Sequence, residues 1–485
     1  MEDKLTISKI DESTLRVQCD RSIAQELSDF FCFYVPGYRF MPAFRNGVWD
    51  GKIRLFNAQS QELPVGLFTY VTNFAAKRNY LVETKTTNHG SPWDVDDISD
   101  ATLHTHIRNL NLPHDIRGYQ YDAIKKALNV KRAIILSPTG SGKSLIIYTL
   151  AKYVKGKVLV IVPTTSLVEQ MRSDFAEYGD GSAHVIYSGK DKDIEHSQIV
   201  ISTWQSIYKF PRAWFKDFDM VIGDECHGFK SKSLTTLMNK CTETKYRIGT
   251  TGTLDGTQTH KLVLEGLFGR VFHATTTKDL QDSDTLAKLE INILELVWPE
   301  IIRKDWKKTY QEEVDFLVTN EKRNNFIKNL AIDQKGNTLI LFQYVEKHGK
   351  VLYDLIKRSV DENRKVFFVS GEVDTSDREA IRLITEKQKN AIVVASLGTF
   401  STGVNIRNLH NILFASPSKS QIRVLQSIGR GLRKSDDGSA TKLYDIADDI
   451  SWKSKKNFVL QHAKERIKIY DRERFNYRIY NIPLS

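Results

Sequence analysis

Cysteine is scarce in this chain: there are four in 485 residues (Cys19, Cys32, Cys226 and Cys241), and no two form a CxxC pair. Neither a disulfide framework nor a zinc site is indicated, so a reducing compartment is expected. Long apolar runs are missing as well. Val158-Leu-Val-Ile-Val162 is typical of the longest, far short of the ~20 residues a membrane span needs. Met1-Glu-Asp-Lys4 carries acids and no apolar h-region, so no secretory signal is expected. Repeats and low-complexity tracts are also absent. What remains is an ordinary globular composition, 41% hydrophobic and 27% charged, in a chain long enough for about three cores. The formal charge of +11 points to a polyanionic partner. Residues 451–485 hold nine Lys/Arg against three Asp/Glu, a net of +6. A solvated basic face would account for that run equally well.

The most informative segment is Ser137-Pro-Thr-Gly-Ser-Gly-Lys-Ser144, set between the apolar Ala133-Ile-Ile-Leu136 and the helix-like Leu145-Ile-Ile-Tyr-Thr-Leu150. A buried strand, a glycine turn and a helix N-terminus make a phosphate cradle. Thr139, Gly140, Ser141 and Gly142 supply backbone N–H groups, Lys143 reaches the β- and γ-phosphates, and the Ser144 hydroxyl holds Mg²⁺. Ser137 stands where glycine or alanine is usual, and its small side chain should fit. The expected cofactors are therefore ATP and Mg²⁺.

A second strand, Met220-Val-Ile222, runs into Gly223-Asp-Glu-Cys-His227. Two adjacent acids at the end of a buried strand are costly unless something positive meets them. Asp224 is assigned to Mg²⁺ beside Ser144, and Glu225 to orienting and deprotonating the attacking water. His227 is placed to relay the state of the phosphate site. Cys226 is read as a packed residue.

Residues 1–90 alternate strand-like runs (Leu15–Gln18, Lys52–Phe56) with the helix-like Ile23–Leu27, and read as a nucleic-acid-binding module. Residues 91–113 read as a linker, opened by the polar Thr84–Pro92. From 114 to 275, strand runs alternate with helical patterns, the rhythm of a parallel sheet with crossover helices. A polar, helical stretch near 276–330 then precedes a second set of strands, at 338–342, 366–369, 391–395, 411–414 and 442–445. The predicted fold is α/β: a small N-terminal domain, two parallel-sheet domains in tandem (114–275 and 276–450), and a basic C-terminal helix over 451–485.

Arg117-Gly-Tyr-Gln120, the cradle, Val162-Pro-Thr-Thr165, Ser202-Thr-Trp-Gln205, Asp224-Glu-Cys-His227, Thr251-Gly-Thr253, Phe400-Ser-Thr-Gly-Val404 and Gln426-Ser-Ile-Gly-Arg-Gly-Leu-Arg433 follow one another in order. In that order they resemble the superfamily 2 helicases, over roughly 115–435. The resemblance implies two RecA-like domains that bind one ATP between them. It implies that Gln120 reads the adenine, that Arg117 and Gln426 bind ATP, that Gly403 lets backbone approach the nucleotide in the second domain, and that Arg430 and Arg433 act as arginine fingers on the γ-phosphate. It implies that Thr251 and Thr253 couple the ATP and nucleic-acid sites. Here Thr-Gly-Thr replaces the more frequent Ser-Ala-Thr and keeps both hydroxyls.

Hydroxyl-rich loops follow buried strands at Thr164, Thr165, Thr203, Ser396 and Thr399, and such groups bind phosphates without reading bases. A sequence-independent, salt-sensitive grip is expected. Trp204 offers a ring for stacking, with core packing the commoner fate of a lone aromatic after a strand. Between Phe31 and Phe56, aromatics interleave with Arg39, Arg45, Lys52 and Arg54. The cations are expected to touch nucleic acid and most of the rings to form a small core. In the tail, Val459, Leu460, Ile467 and Tyr470 recur at helical spacing among Lys464, Arg466, Lys468, Arg472 and Arg474, predicting one packed face and one basic face.

Gly37-Tyr-Arg-Phe40, Trp49–Arg54, Val369-Ser-Gly-Glu-Val-Asp374 and Phe475-Asn-Tyr477 are similar to the bacteriophage UvsW-type branched-DNA helicases, which extends the resemblance to nearly the whole chain. It implies an ATP-dependent motor acting on forks, Holliday junctions, D-loops and RNA–DNA hybrids in recombination, repair and replication. It also implies a DNA partner, no membrane, a monomer, and a host cytoplasm as the setting. The rival readings are a duplex translocase or remodelling ATPase that separates no strands, a nuclease built on Glu83-Thr-Lys85 with Asp50, and a binding scaffold with a dead ATPase.

Overall fold

The computed structural model describes residues 3–484 apart from 188–192, 195, 255–256, 305, 307–308, 372–380, 382–383, 386, 403–407, 417–439 and 454–456. It divides into two compact units, Met1–Ser137 with Gly142–Ala274, and Pro138–Ser141 with Thr275–Ser485.

The first unit opens with a small α/β module. Strands β1 (Lys4–Lys9), β2 (Thr14–Gln18), β5 (Glu62–Pro64) and β6 (Leu81–Lys85) form a sheet in the order β5-β2-β1-β6. Period-2 alternation buries Leu5, Ile7, Leu15 and Val17 against the helices Arg21–Phe30 and Phe68–Ala76. Strands β3 (Cys32–Tyr34) and β4 (Lys52–Arg54) pair separately as an antiparallel hairpin.

A parallel seven-stranded sheet follows, ordered β13-β7-β12-β11-β8-β10-β9. Its strands are β7 (Arg132–Leu136), β8 (Lys157–Val162), β9 (His184–Ile186), β10 (Ile199–Thr203), β11 (Phe218–Asp224), β12 (Tyr246–Thr251) and β13 (Val271–His273). Runs such as Val158-Leu-Val-Ile-Val162 are buried throughout because helices cover both faces of a parallel sheet. The three-residue β9 and β13, absent from the sequence reading, close its two edges.

The small module is bolted to this sheet by buried polar groups. Arg132 on β7 bonds the Glu12 carboxylate at 2.7 Å and the Glu12 carbonyl. Arg247 on β12 reaches Ser13 Oγ at 2.7 Å and the carbonyls of Met238 and Cys241. Burial draws the Arg247 guanidinium down to about 10. Helix Gln258–Phe268 adds Leu262 to the module's core and accepts a 2.5 Å bond from Tyr70 at Glu265.

The segment expected as a linker is instead docked structure. Helix Asp100–Asn109 starts at Ser99, whose hydroxyl accepts from Thr102 N–H at 3.2 Å, and its Leu103 is buried in the core of the sheet domain. Leu103, Ile107 and Leu110 recur at i, i+4 and i+7, a stripe hidden by its polar flanks.

The second unit is another parallel sheet of seven strands, ordered β16-β17-β15-β18-β19-β14-β20. These are β14 (Leu289–Val297), β15 (Thr338–Phe342), β16 (Val366–Val369), β17 (Ile392–Ser396), β18 (Asn411–Phe414), β19 (Thr441–Asp449) and β20 (Tyr477–Pro483). Two strands depart from the sequence reading. The region near 276–330, read as polar and helical, contains the nine-residue β14, paired on both sides. The tail is a helix, Phe458–Arg472, followed by β20 at the sheet edge. Arg466, expected on a basic face, is buried against Asp445 of β19. Among the described residues no helix is long and apolar enough to cross a membrane.

Candidate functional site

The cradle, Val162–Thr165, Ser202–Gln205, Asp224–His227 and Thr251–Thr253 each sit at a strand's carboxyl end, where an open parallel sheet leaves a crevice, while Arg117–Gln120 opens the helix Gly118–Val130. β7 ends at Leu136 and the chain turns through the cradle into helix Lys143–Tyr153. Gly140 (φ +81°) and Gly142 (φ +78°) occupy left-handed backbone that a side chain would strain. Gly142 also lies against Gln120: a β-carbon there would stand 2.5 Å from Gln120 Nε2. The Gln120 amide oxygen accepts the Arg117 N–H at 2.9 Å, capping helix Gly118–Val130. The structure thus brings the glutamine expected to read adenine onto the cradle. Arg117 itself is exposed, its guanidinium 3.1 Å from the Tyr119 hydroxyl. Within the cradle Ser141 Oγ donates to Pro138 O at 2.6 Å, Thr139 is half-buried, and Lys143 Nζ donates to Ser137 O at 3.2 Å.

β11 delivers the acid pair. Asp224 is buried and accepts from Thr250 Oγ1 at 2.8 Å. Burial and the neighbouring Glu225 push its carboxyl above the ordinary range, while Lys143 and the Thr250 bond pull it back. Such a carboxylate is a natural partner for a divalent cation, so the donor set fits the Mg²⁺ assignment. Glu225 takes φ +48°, rare for a residue with a side chain. That kink turns its carboxylate toward β12: Oε2 lies 3.3 Å from Thr251 Oγ1 and 3.4 Å from His227 Nδ1. Thr251 is the hub of this group, with Oγ1 also 3.0 Å from His227 Nδ1 and 3.0 Å from the Thr253 carbonyl, and accepting from Thr253 N–H.

Two neighbours escaped the sequence reading. Thr250, which holds Asp224, was signalled only by standing beside Thr251. Tyr178, just beyond helix Thr165–Glu177, brings its hydroxyl within 3.1 Å of Ser144 Oγ. A cation taking the Ser144 hydroxyl would compete with that bond. Nothing in the local pattern marks Tyr178, which reaches Ser144 only through helix packing.

Two of the hydroxyls expected to hold phosphates, Thr164 and Ser396, accept N–H groups at helix N-termini. Thr164 caps Thr165–Glu177, accepting from Leu167 N–H at 3.4 Å, so Thr165 opens a helix N-terminus. Thr203 Oγ1 lies 2.9 Å from Ser206 Oγ. Trp204 is half-buried, packed on the core and edge-on to Tyr208. In the second unit, Ser396 donates to Thr399 Oγ1 at 2.7 Å and accepts from its N–H. Gly403, Gln426, Arg430 and Arg433 lie outside the described residues. Arg39, Arg45 and Arg54 are exposed, and Lys52 sits 4.9 Å over the Tyr34 ring. The two carboxylates of the nuclease reading are engaged elsewhere, Glu83 with Lys4 and Asp50 with Arg54.

Three family models match the chain: "DNA helicase UvsW, N-terminal" over 5–84, "Type III restriction enzyme, res subunit" over 113–256, and "Helicase conserved C-terminal domain" over 321–435. The ATP-dependent DNA helicase uvsW of Enterobacteria phage T4 is 36% identical over 503 residues, covering 98% of both chains. The DNA 3'-5' translocase XPB2 of Sulfurisphaera tokodaii is 23% identical over 66% of this chain and 79% of its own. The crystal structure of T4 UvsW matches at TM-score 0.52 and 34% identity, covering 99% of this chain and 100% of its own. S. cerevisiae Dbp5 bound to RNA and ADP BeF3 matches at TM-score 0.54 and 12% identity, over 79% of this chain and 93% of its own; it shares the fold.

Proposed function

The chain belongs to the UvsW family of superfamily 2 ATP-dependent DNA helicases, and we propose that it unwinds or branch-migrates branched nucleic acids, among them forks, Holliday junctions, D-loops and R-loops. The observation that carries this reading is that the likeness to the T4 helicase runs from end to end and includes the N-terminal module, which is docked on the first sheet domain through Arg132 and Arg247. The setting would be a host cytoplasm, and the work recombination, repair and replication.

In this reading Lys143 and the cradle N–H groups bind the triphosphate, Ser144 and Asp224 hold Mg²⁺, and Glu225 takes the proton of the attacking water. Mg²⁺ supplies charge neutralisation on the phosphates when bound. Arg430 and Arg433, outside the described residues, keep the arginine-finger role that the resemblance implies. Thr251 links Glu225 and His227 to the strand that leads into Thr253. Replacing Thr251 with valine keeps its shape and removes its hydrogen bonds. ATP affinity should hold, whereas stimulation of turnover by DNA should fall about tenfold, within the usual range for coupling between sites. Titrating ATPase rate against DNA, alongside binding of a fluorescent ATP analogue, checks this.

The substrate assignment is tested on three substrates of matched length: a static DNA fork, a mobile four-way DNA junction and an R-loop. ATP-driven strand displacement or branch movement on at least one is expected. A chain that hydrolyses ATP on all three and moves no strand is a translocase without strand separation.

A further inference from the structure

Ser144, Tyr148 and Lys152 stand four residues apart on helix Lys143–Tyr153, so they form one stripe along its surface. The chain around Tyr178 meets all three. The Lys152 ammonium donates to Asp180 at 3.0 Å. The Tyr148 ring lies against Tyr178 at 5.4 Å and edge-on to Phe175 at 5.1 Å. At the head of the stripe, the Tyr178 hydroxyl lies 3.1 Å from Ser144 Oγ. The mounting is firm. Tyr178 N–H donates to Asp174 O at 3.0 Å, closing helix Thr165–Glu177. Left-handed Gly179 (φ +103°) then turns the chain, and Asp180 N–H returns to Phe175 O at 2.9 Å. The Tyr178 ring is thus placed by packing, and its hydroxyl is delivered to the serine.

That serine is the one assigned to Mg²⁺, so the bond has a consequence beyond packing. A serine side chain has a single oxygen. As an acceptor from Tyr178 it spends a lone pair that a cation would use, and as a donor it is turned into the seam between the two helices. Burial pushes the Tyr178 hydroxyl above its ordinary value. It therefore stays protonated and neutral, and cannot replace the serine as an anionic ligand. Asp224, the other residue assigned to the cation, has an internal partner of its own in Thr250 at 2.8 Å. Each expected ligand thus has a neutral hydroxyl inside the protein as an alternative to the metal. A ligand with such an alternative is not left unsatisfied when the cation departs, which lowers the cost of departure. An ATPase that turns over has to let its product and the cation go in every cycle.

We infer that Tyr178 is a positioning residue that competes with Mg²⁺ for Ser144: by taking up the Ser144 hydroxyl it loosens the hold on the cation and, with it, on ADP after hydrolysis. The inference rests on the assignment of Ser144 to Mg²⁺ in the reading above and adds what sets the strength of that hold.

The test is an Mg²⁺ titration of the binding of a fluorescent ADP analogue to the full chain, with binding in EDTA measured alongside. Wild type is compared with Tyr178→Phe, Ser144→Ala and the double variant. Tyr178→Phe keeps the ring on Tyr148 and removes only the hydroxyl. Its Mg²⁺ midpoint should fall about fivefold, the scale of one net hydrogen bond. Affinity in EDTA should stay within about twofold of wild type, because that binding does not pass through the cation. Ser144→Ala should raise the midpoint, and in that background Tyr178→Phe should change it no further, since one end of the bond is already gone. A midpoint in Tyr178→Phe equal to or above that of wild type overturns the inference; a rise would make the tyrosine a support for the metal-bound serine. An equal shift in the Ser144→Ala background also overturns it, as does a loss of affinity in EDTA, which packing alone would cause. If Ser144→Ala leaves the midpoint where it was, the assignment of Ser144 to Mg²⁺ fails and takes this inference with it. That result is distinct from one in which Ser144→Ala raises the midpoint and Tyr178→Phe does not lower it, where the role of Tyr178 alone is wrong.

Discussion

Lys143→Ala and Glu225→Gln should each abolish ATP turnover, but by different routes. Lys143 leaves the first turn of helix Lys143–Tyr153 and bends back to donate to Ser137 O at 3.2 Å. Its ammonium thereby sits over the cradle, where the β- and γ-phosphates would lie. Alanine removes the charge from both ground state and transition state, so ATP affinity and turnover should fall together, the latter by ~10²–10³ or more. Glu225→Gln is a subtler change. Its volume, its left-handed backbone and a bond to Thr251 can all persist, since an amide oxygen accepts as a carboxylate does. What is lost is proton acceptance, worth ~10²–10⁴ in rate. Affinity for ATP should survive or rise, because Asp224 loses a like-charged neighbour. Steady-state ATPase with DNA, together with equilibrium binding of a fluorescent ATP analogue, separates the two. Turnover at the wild-type rate in either variant would overturn the assignment of that residue. Loss of ATP binding in Glu225→Gln would make the acid a structural post rather than a base.

Both residues were legible in the sequence for a simple reason. The cradle and the acid pair are contiguous, and their chemistry is fixed by residue types at short spacing. The five central strands of the first sheet domain were legible too, β7, β8, β10 and β11 by their aliphatic runs and β12 by its place in the alternation with helical patterns. Where the reading failed, the information lay elsewhere. β14 alternates Leu289, Ile291 and Ile293 with Glu290 and Asn292, yet nine residues of mixed polarity amid charged helices resemble a helical surface when taken alone. β20 exposes Ile479 and Tyr480 at the sheet edge, so its pattern lacks the burial that marks its parallel neighbours. Tyr178 reaches the nucleotide side only through the packing of two helices, and Thr250 only through the pairing of β12 with β11. Phe40 and Phe56, both aromatic, both within one strand–turn–strand segment, end at opposite extremes of exposure. Residue type sets no direction there; the turn at Tyr38–Phe40 does.

Arg466 is the sharpest case of this kind, because its misreading reverses an expected result. On a basic DNA-facing helix, Arg466→Ala would weaken binding and leave folding intact. In the structure the reverse should hold. Arg466 Nε meets both Asp445 oxygens at 3.0 and 2.9 Å, its second nitrogen reaches Oδ1 at 2.6 Å, and the Tyr470 hydroxyl donates to Oδ2 at 2.7 Å. Both members of the pair are about 1% exposed. Burial works against the guanidinium's charge, and Asp445 outweighs it, holding Arg466 above its ordinary value. Removing one partner leaves the other charged and dry, which costs ~3–5 kcal/mol. For a unit of this size that is roughly 2–4 °C of melting temperature per kcal/mol. The loss should appear as early release of amide protection in helix Phe458–Arg472 and strands β19 and β20, while the first unit keeps its protection. Arg466→Met with Asp445→Asn should recover much of the stability, since no charge is then buried and the asparagine still accepts from Tyr470. Lys464 and Lys468, exposed on the same helix, are the controls: alanine there should change the melting temperature little. If Arg466→Ala melts like wild type, the pair lies in solvent, and the tail's basic face is wider than the packing of its helix allows.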